Sequence, residues 1–325
     1  MARLVFLGTP PAAALVLRAL VGAGHDVALV VSRPDRRRSR RSPPEPSAVK
    51  ASALDLGLRV TERAEDAVEA GAELGVVVAF GRIIRPGILE RLPMVNLHFS
   101  LLPRWRGAAP VERAILAGDA RTGVCLMAVE EGLDTGPVYA CRDTAIGDEE
   151  RASELRDRLV AMGTDLLIGR LADSAGAEPD PSPAGTSGPA GTSAPAGSAG
   201  AAATKGVVAA LGQPRPQTGE PTYAAKIEPS ELRLDWERPA SDLARVVRVG
   251  RAWTTVGGQR LLVLRARAVG AAGPELPAGA VRGLVVTTGV AGLELVEVQP
   301  QGRAPMAASD WLRGARLGPD AVLGT

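Results

Sequence analysis

The chain has few aromatics, few lysines, few histidines and few cysteines. Only 3% of its 325 residues are Phe, Trp or Tyr, so its cores must be built mainly from Val, Leu, Ile and Ala. Lysine occurs only at Lys50, Lys205 and Lys226. Arginine carries nearly all the positive charge, which, with so much Ala and Gly, reads first as a coding bias. Two cysteines, Cys125 and Cys141, make no disulfide framework, and with only two histidines they make no zinc site. Both lie in β-like runs, where buried reduced thiols are expected. No stretch reaches the roughly 18 consecutive apolar residues of a membrane span. Gly8-Thr9-Pro10-Pro11 breaks the first apolar run too early for a secretory signal. A soluble, cytoplasmic protein without a metal is expected. A Gly-x-Ser-x-Gly elbow is missing, as is a full Gly-x-Gly-x-x-Gly after the first strand, so a serine hydrolase and a dinucleotide enzyme both recede.

What is present is unevenly placed. The net charge is +2, yet residues 33 to 41 hold six arginines and one acid. Such a block stays solvated when free, and it is also what a phosphate-rich partner requires.

The first half alternates short Val/Leu/Ile runs with helical patterns. Strands are expected at Leu4–Leu7, Val27–Val31, Leu58–Val60, Gly75–Ala79, Met94–His98, Gly123–Val129 and Val138–Ala145. Between them the pattern predicts helices after Gly8, from Ser47 as N-cap to Leu56, over Glu65–Ala72 and over Pro110–Ala117. Continuous apolar strands such as Val76-Val77-Val78 predict a sheet covered on both faces, and the alternation predicts mostly parallel pairing. The result is a doubly wound α/β domain over residues 1–173, closed by a long helix from Arg151 to Asp173. Residues 174–214 follow as an Ala/Gly/Pro/Ser linker that has too little apolar surface to order. Residues 215–325 show short strands with Gly-rich turns, the pattern of a small OB-like β-barrel that leans basic.

One pair of side chains stands out. In Val95-Asn96-Leu97-His98, positions i and i+2 of a strand share a face, so Asn96 and His98 point together. An amide donor beside an imidazole suits acyl transfer; the same residues also fit a core histidine with a strand-end asparagine. Asp134, in the glycine-flanked loop Glu130-Glu-Gly-Leu-Asp-Thr-Gly136, is the candidate carboxylate, although Asp and Gly equally favour a surface turn. His25, in Gly-Ala-Gly-His-Asp, reads as a turn residue.

At this point the residues resemble a known family. Asn96-Leu-His98-Phe-Ser-Leu-Leu-Pro103-Arg-Trp-Arg-Gly107 with Gly132-Leu-Asp134-Thr-Gly136 is similar to the signature of the 10-formyltetrahydrofolate-dependent formyltransferases, and Phe80-Gly-Arg-Ile-Ile84 to their Tyr-Gly-x-Ile-Leu segment. Gly8-Thr9-Pro10, the basic loop, and Thr222-Tyr223-Ala-Ala-Lys226 with Leu234-Asp-Trp236 resemble the branch whose acceptor is methionyl-tRNA. The resemblance implies catalytic roles for Asn96, His98 and Asp134, and a folate-lining role for Ser100, Leu101, Leu102 and Pro103. It implies 10-formyltetrahydrofolate as co-substrate and initiator methionyl-tRNA as partner. Arg36, Arg37, Arg38, Arg40 and Arg41 are expected to contact that tRNA, and the protein is expected to be a monomer. A small-amine acceptor, or an RNA-binding protein with a weak enzyme domain, would use parts of the same sequence. Phe99 departs from the family's glycine between His and Ser, and Arg251-Ala-Trp253-Thr from its Asn-Pro-Trp-Pro-like segment.

Overall fold

The computed structural model describes residues 1–37, 42–172, 207–270, 276–318 and 320–324. Residues 174–206 of the expected linker, and Arg38, Arg40 and Arg41, lie outside the described residues.

The first elements are β1 (Arg3–Gly8), α1 (Pro11–Gly22), β2 (Asp26–Val31), a hairpin of β3 (Arg36–Arg37) and β4 (Pro44–Glu45), α2 (Ala48–Asp55) and β5 (Val60–Thr61). Then come β6 (Leu74–Val78), α3 (Pro86–Leu89), β7 (Met94–His98), β8 (Arg106–Gly107), α4 (Pro110–Ala117), β9 (Arg121–Ala128), β10 (Val138–Ala145) and α5 (Ala152–Ala172). Local chemistry explains several boundaries. Helices α1 and α4 open on a proline, whose missing N–H the first turn does not need. Ser47 caps α2 by accepting the N–H of Lys50. The helix expected over Glu65–Ala72 is only a 3₁₀ turn, Ala64–Glu69.

The sheet runs β10-β9-β7-β6-β1-β2-β5. Strands β5, β2, β1, β6 and β7 are parallel, and β9 and β10 continue the sheet antiparallel. Alternation assigns the two faces. Leu4, Phe6, Val76, Val95 and Leu97 join α1 and α5 in one buried cluster, and Val5, Leu7, Val77 and Met94 join α3 in another. Asn96 and His98 take the second face. Phe99 belongs to the first cluster, with Leu97, so its bulk fills the core and not the space beside His98.

Cys125 is buried, Cys141 is exposed, and the two are bonded to each other. This corrects the expectation of reduced buried thiols. They sit directly opposite across the antiparallel β9–β10 pair, their Cα atoms 4.1 Å apart, a closeness found at non-hydrogen-bonded positions.

At α6 (Val207–Ala210) and just after it, Val207 and Leu211 are buried in the α1/α5 cluster. Residues 215–224 also stay with the first domain, ending in β11 (Tyr223–Ala224), which pairs parallel with β8. A second unit follows this segment. It holds α7 (Ala240–Val249), β12 (Ala252–Val256), β13 (Gln259–Val269), β14 (Val281–Arg282), β15 (Val285–Thr287), β16 (Gly292–Pro300), β17 (Met306–Ala307) and α8 (Ala308–Ala315). Its six strands form one antiparallel sheet around a core of Leu243, Val247, Leu261, Val263, Leu295 and Trp311 among others. Strands β14 and β15 are joined by a tight turn at Gly283, where φ is +56°.

Candidate active site

The site lies on the second face of the sheet at β7. His98 is 5% exposed. Its Nε2 faces the carbonyl oxygen of Trp105 at 2.8 Å. A carbonyl only accepts, so Nε2 carries a hydrogen and Nδ1 is left to Asp134. The Asp134 Oδ2 is 3.5 Å from Nδ1, an ion-pair distance longer than a good hydrogen bond, and it accepts the Gly107 N–H at 2.8 Å. Asn96 is half-buried, and among the described residues its amide makes no hydrogen bond. It shares a face with the imidazole and is left available to a ligand.

Asp134 arrives by an unexpected route. Because β9 is antiparallel to β7, Ala128 lies opposite Val95, near the amino end of β7 and not its carboxyl end. The 129–137 loop must fold back over the sheet face to bring Asp134 to His98. Asp134 itself has φ +51°, a conformation Asp tolerates better than most residues. Gly136 allows the fold: a Cβ there would stand 2.0 Å from the Ala128 carbonyl oxygen.

Ser100 is fully buried, and its hydroxyl donates to the Arg104 carbonyl at 2.5 Å, closing the turn that carries Leu101, Leu102 and Pro103 next to the site. Arg104 pairs bidentately with Asp119, a bond that holds its guanidinium pKa above the usual value. The Trp105 indole also donates to Asp119, at 2.7 Å. Arg36 and Arg37 are exposed on the β3–β4 hairpin beyond the end of β2, three strand positions from β7. The structure brings Asn96, His98 and Asp134 together and leaves Arg36 and Arg37 apart from them. Among the described residues no group of His, Cys, Asp or Glu is placed to hold a metal ion, and no helix is long and apolar enough to cross a membrane.

Residues 2–171 match the family model described as formyl transferase, and residues 226–316 match formyl transferase, C-terminal domain. The chain belongs to the formyl transferase family. The methionyl-tRNA formyltransferase of Dinoroseobacter shibae is 41% identical, the alignment covering 97% of this chain and 98% of that protein. That of Clavibacter sepedonicus is 42% identical over 96% and 97%. Among solved structures, an N-formyltransferase from Helicobacter canadensis in complex with folinic acid and dTDP-3-aminofucose shares the fold, with a TM-score of 0.61 at 13% identity over 92% of this formyltransferase and 100% of that chain.

The segment that sequence reasoning passed over is 215–224, which lies between the two family matches. Gln217 donates to the carbonyls of Asp134 and Gly136, both at 2.8 Å, and Thr222 accepts the Trp105 N–H at 2.9 Å. Thr222-Tyr223 was visible as a resemblance, but no local signal in the sequence marks Gln217.

Proposed function

We propose that this formyltransferase moves the formyl group of 10-formyltetrahydrofolate to the α-amine of initiator methionyl-tRNA, giving N-formylmethionyl-tRNA and tetrahydrofolate. The observation that carries the reading is the unpartnered Asn96 amide beside the His98–Asp134 pair, in a chain about 40% identical over its length to proteins named for that reaction. The amine nitrogen bonds to the formyl carbon, the bond from that carbon to the folate nitrogen breaks, and one proton passes from the amine to the leaving nitrogen. Asn96 donates to the formyl oxygen as negative charge gathers there. His98 supports the same oxygen and handles the proton, with Asp134 holding the ring and the charge it takes on.

Ser100, Leu101, Leu102 and Pro103 line the folate side of the cleft in this reading. Arg36, Arg37, Arg38, Arg40 and Arg41 bind tRNA phosphates, where each arginine's planar fork pairs with phosphate oxygens. The protein works as a monomer in the cytoplasm, with residues 1–225 as the catalytic unit and 226–325 as a second tRNA-facing unit.

The test is an acceptor competition with labelled 10-formyltetrahydrofolate. Methionyl-tRNA, an amino-sugar nucleotide and glycinamide ribonucleotide are offered together, and label is expected on formylmethionyl-tRNA. Label on a small amine instead, or on none of the three, overturns the reading.

A further inference from the structure

We propose that the segment 215–224 is a strap that aims the imidazole of His98, with Gln217 and Thr222 as its positioning residues. The inference rests on the assignment of His98 to the reaction. It starts from the observation that both ring nitrogens of His98 are held by groups which this segment holds in turn.

On the Nδ1 side stands Asp134. Its loop turns back over the sheet, and Asp134 keeps a positive φ, a conformation that the surroundings must enforce. The Gln217 amide supplies the enforcement: its two N–H groups reach the carbonyls of Asp134 and Gly136. Its Oε1 accepts from Nε and Nη2 of Arg106, at 3.0 and 2.6 Å. All of the amide's bonding capacity is used. Its orientation is also settled, since carbonyls only accept and a guanidinium only donates.

On the Nε2 side stands the Trp105 carbonyl. Trp105 too has a positive φ, +62°, unfavourable for a bulky residue. Its N–H is taken by the Thr222 hydroxyl, the next N–H, of Arg106, by the Thr222 carbonyl at 2.9 Å, and that of Ala108 by the Ala224 carbonyl at 2.8 Å. Arg215 adds two backbone bonds to Val138, each 2.8 Å, where the Asp134 loop re-enters the sheet. Apart from Ala224 the strap is largely exposed, with Gln217 and Thr222 only half-buried. Its polar bonds, more than apolar burial, explain why it lies where it does.

Kinetics and spectroscopy test this together. Gln217→Glu keeps, and charges, the partner of Arg106 but sets a carboxylate against two carbonyls. Thr222→Val removes the acceptor for Trp105, and Thr222→Ser retains it. Gln217→Glu and Thr222→Val are expected to lower kcat about ten- to hundredfold, as misplacement by about 1 Å does. KM for folate and for tRNA should stay within about twofold, while Thr222→Ser should stay near wild type. His98 is one of only two histidines, so a His25→Asn background leaves its ring nitrogens as the only imidazole signals in a ¹⁵N spectrum. The Nε2–H signal, protected by Trp105 in the parent, is expected to broaden or vanish in Thr222→Val and in Gln217→Glu. A Gln217→Glu protein with parental kcat overturns the proposal, since anchoring to Arg106 alone would then suffice. So does a loss of kcat with the imidazole signals unmoved. Failure of the parent to formylate methionyl-tRNA would remove the acceptor assignment, whereas the ring signals would still report whether the strap aims His98.

Discussion

His98 is held at both ring nitrogens, whereas Asn96 is left free, and that contrast separates their roles. Asn96→Ala deletes a donor that nothing in the fold uses. Its kcat is expected to fall by about two to three orders of magnitude, with a thermal midpoint within a degree or two of wild type. A parental rate would remove Asn96 from the reaction. His98→Ala is expected to lose turnover as severely, and near-parental turnover would contradict the assignment of the site. Gly136→Ala probes the loop from a different direction. The added methyl collides with the Ala128 carbonyl, so the turn must shift and carry Asp134 away from His98. A kcat loss of about tenfold or more, with both KM values nearly kept, is the expected signature.

Elements, more than single residues, carry the recognition surfaces. The β3–β4 hairpin presents Arg36 and Arg37 to solvent, next to the arginines that follow in the sequence. Replacing Arg36, Arg37, Arg38, Arg40 and Arg41 with Ala is expected to raise KM for methionyl-tRNA and flatten its salt dependence, leaving KM for folate unchanged. A protein that simply unfolds would refute a purely recognitive role for this element. The β9–β10 pair makes a separate claim. Thiol titration of the unfolded, unreduced protein should find no free thiol, and two after reduction; two at the outset would remove the bond between Cys125 and Cys141.

At the scale of the molecule, arginines reaching from one unit to the other hold the two together. Arg248 donates to the carbonyls of Gly147 and Glu150, both at 2.8 Å, and Arg113 to that of Lys226 and to the Glu231 carboxylate. Burial opposes the charge on Glu150, but the bonds from Arg158 and from the Gly147 N–H outweigh it and hold the carboxyl below its usual pKa. Glu231 is held low chiefly by Arg113, and then by the Glu228 N–H. A folded-state pKa below the unfolded value means that protonation favours unfolding. The stabilisation is therefore full above the ordinary glutamate range of about 4.3 and is lost as pH falls through the depressed values. Urea midpoints measured from about pH 6 down to about pH 3 should drop more steeply for the parent than for Glu150→Gln with Glu231→Gln. Parallel curves would contradict the linkage.

Much of this was legible in the residues. Hydrophobic runs and end signals marked β1, β2, β7, β10 and α4 nearly to their ends, because periodicity and end chemistry are local. The same locality put Asn96 and His98 on one face, since i and i+2 of a strand cannot do otherwise. Asp134 stood out only as a carboxylate in a glycine-flanked turn, and its catalytic role came from the family resemblance. Strand direction, the Cys125–Cys141 register and the folding back of the 129–137 loop depend on which segments pair, and composition does not encode that. Gln217 is the clearest case: it is 83 residues from Asp134 in the chain and bonded to it in the fold. Local residue patterns set the elements and the chemical groups available. Which of those groups meet was settled by the fold, because long-range pairing is chosen by the packing of the whole and not by any local pattern.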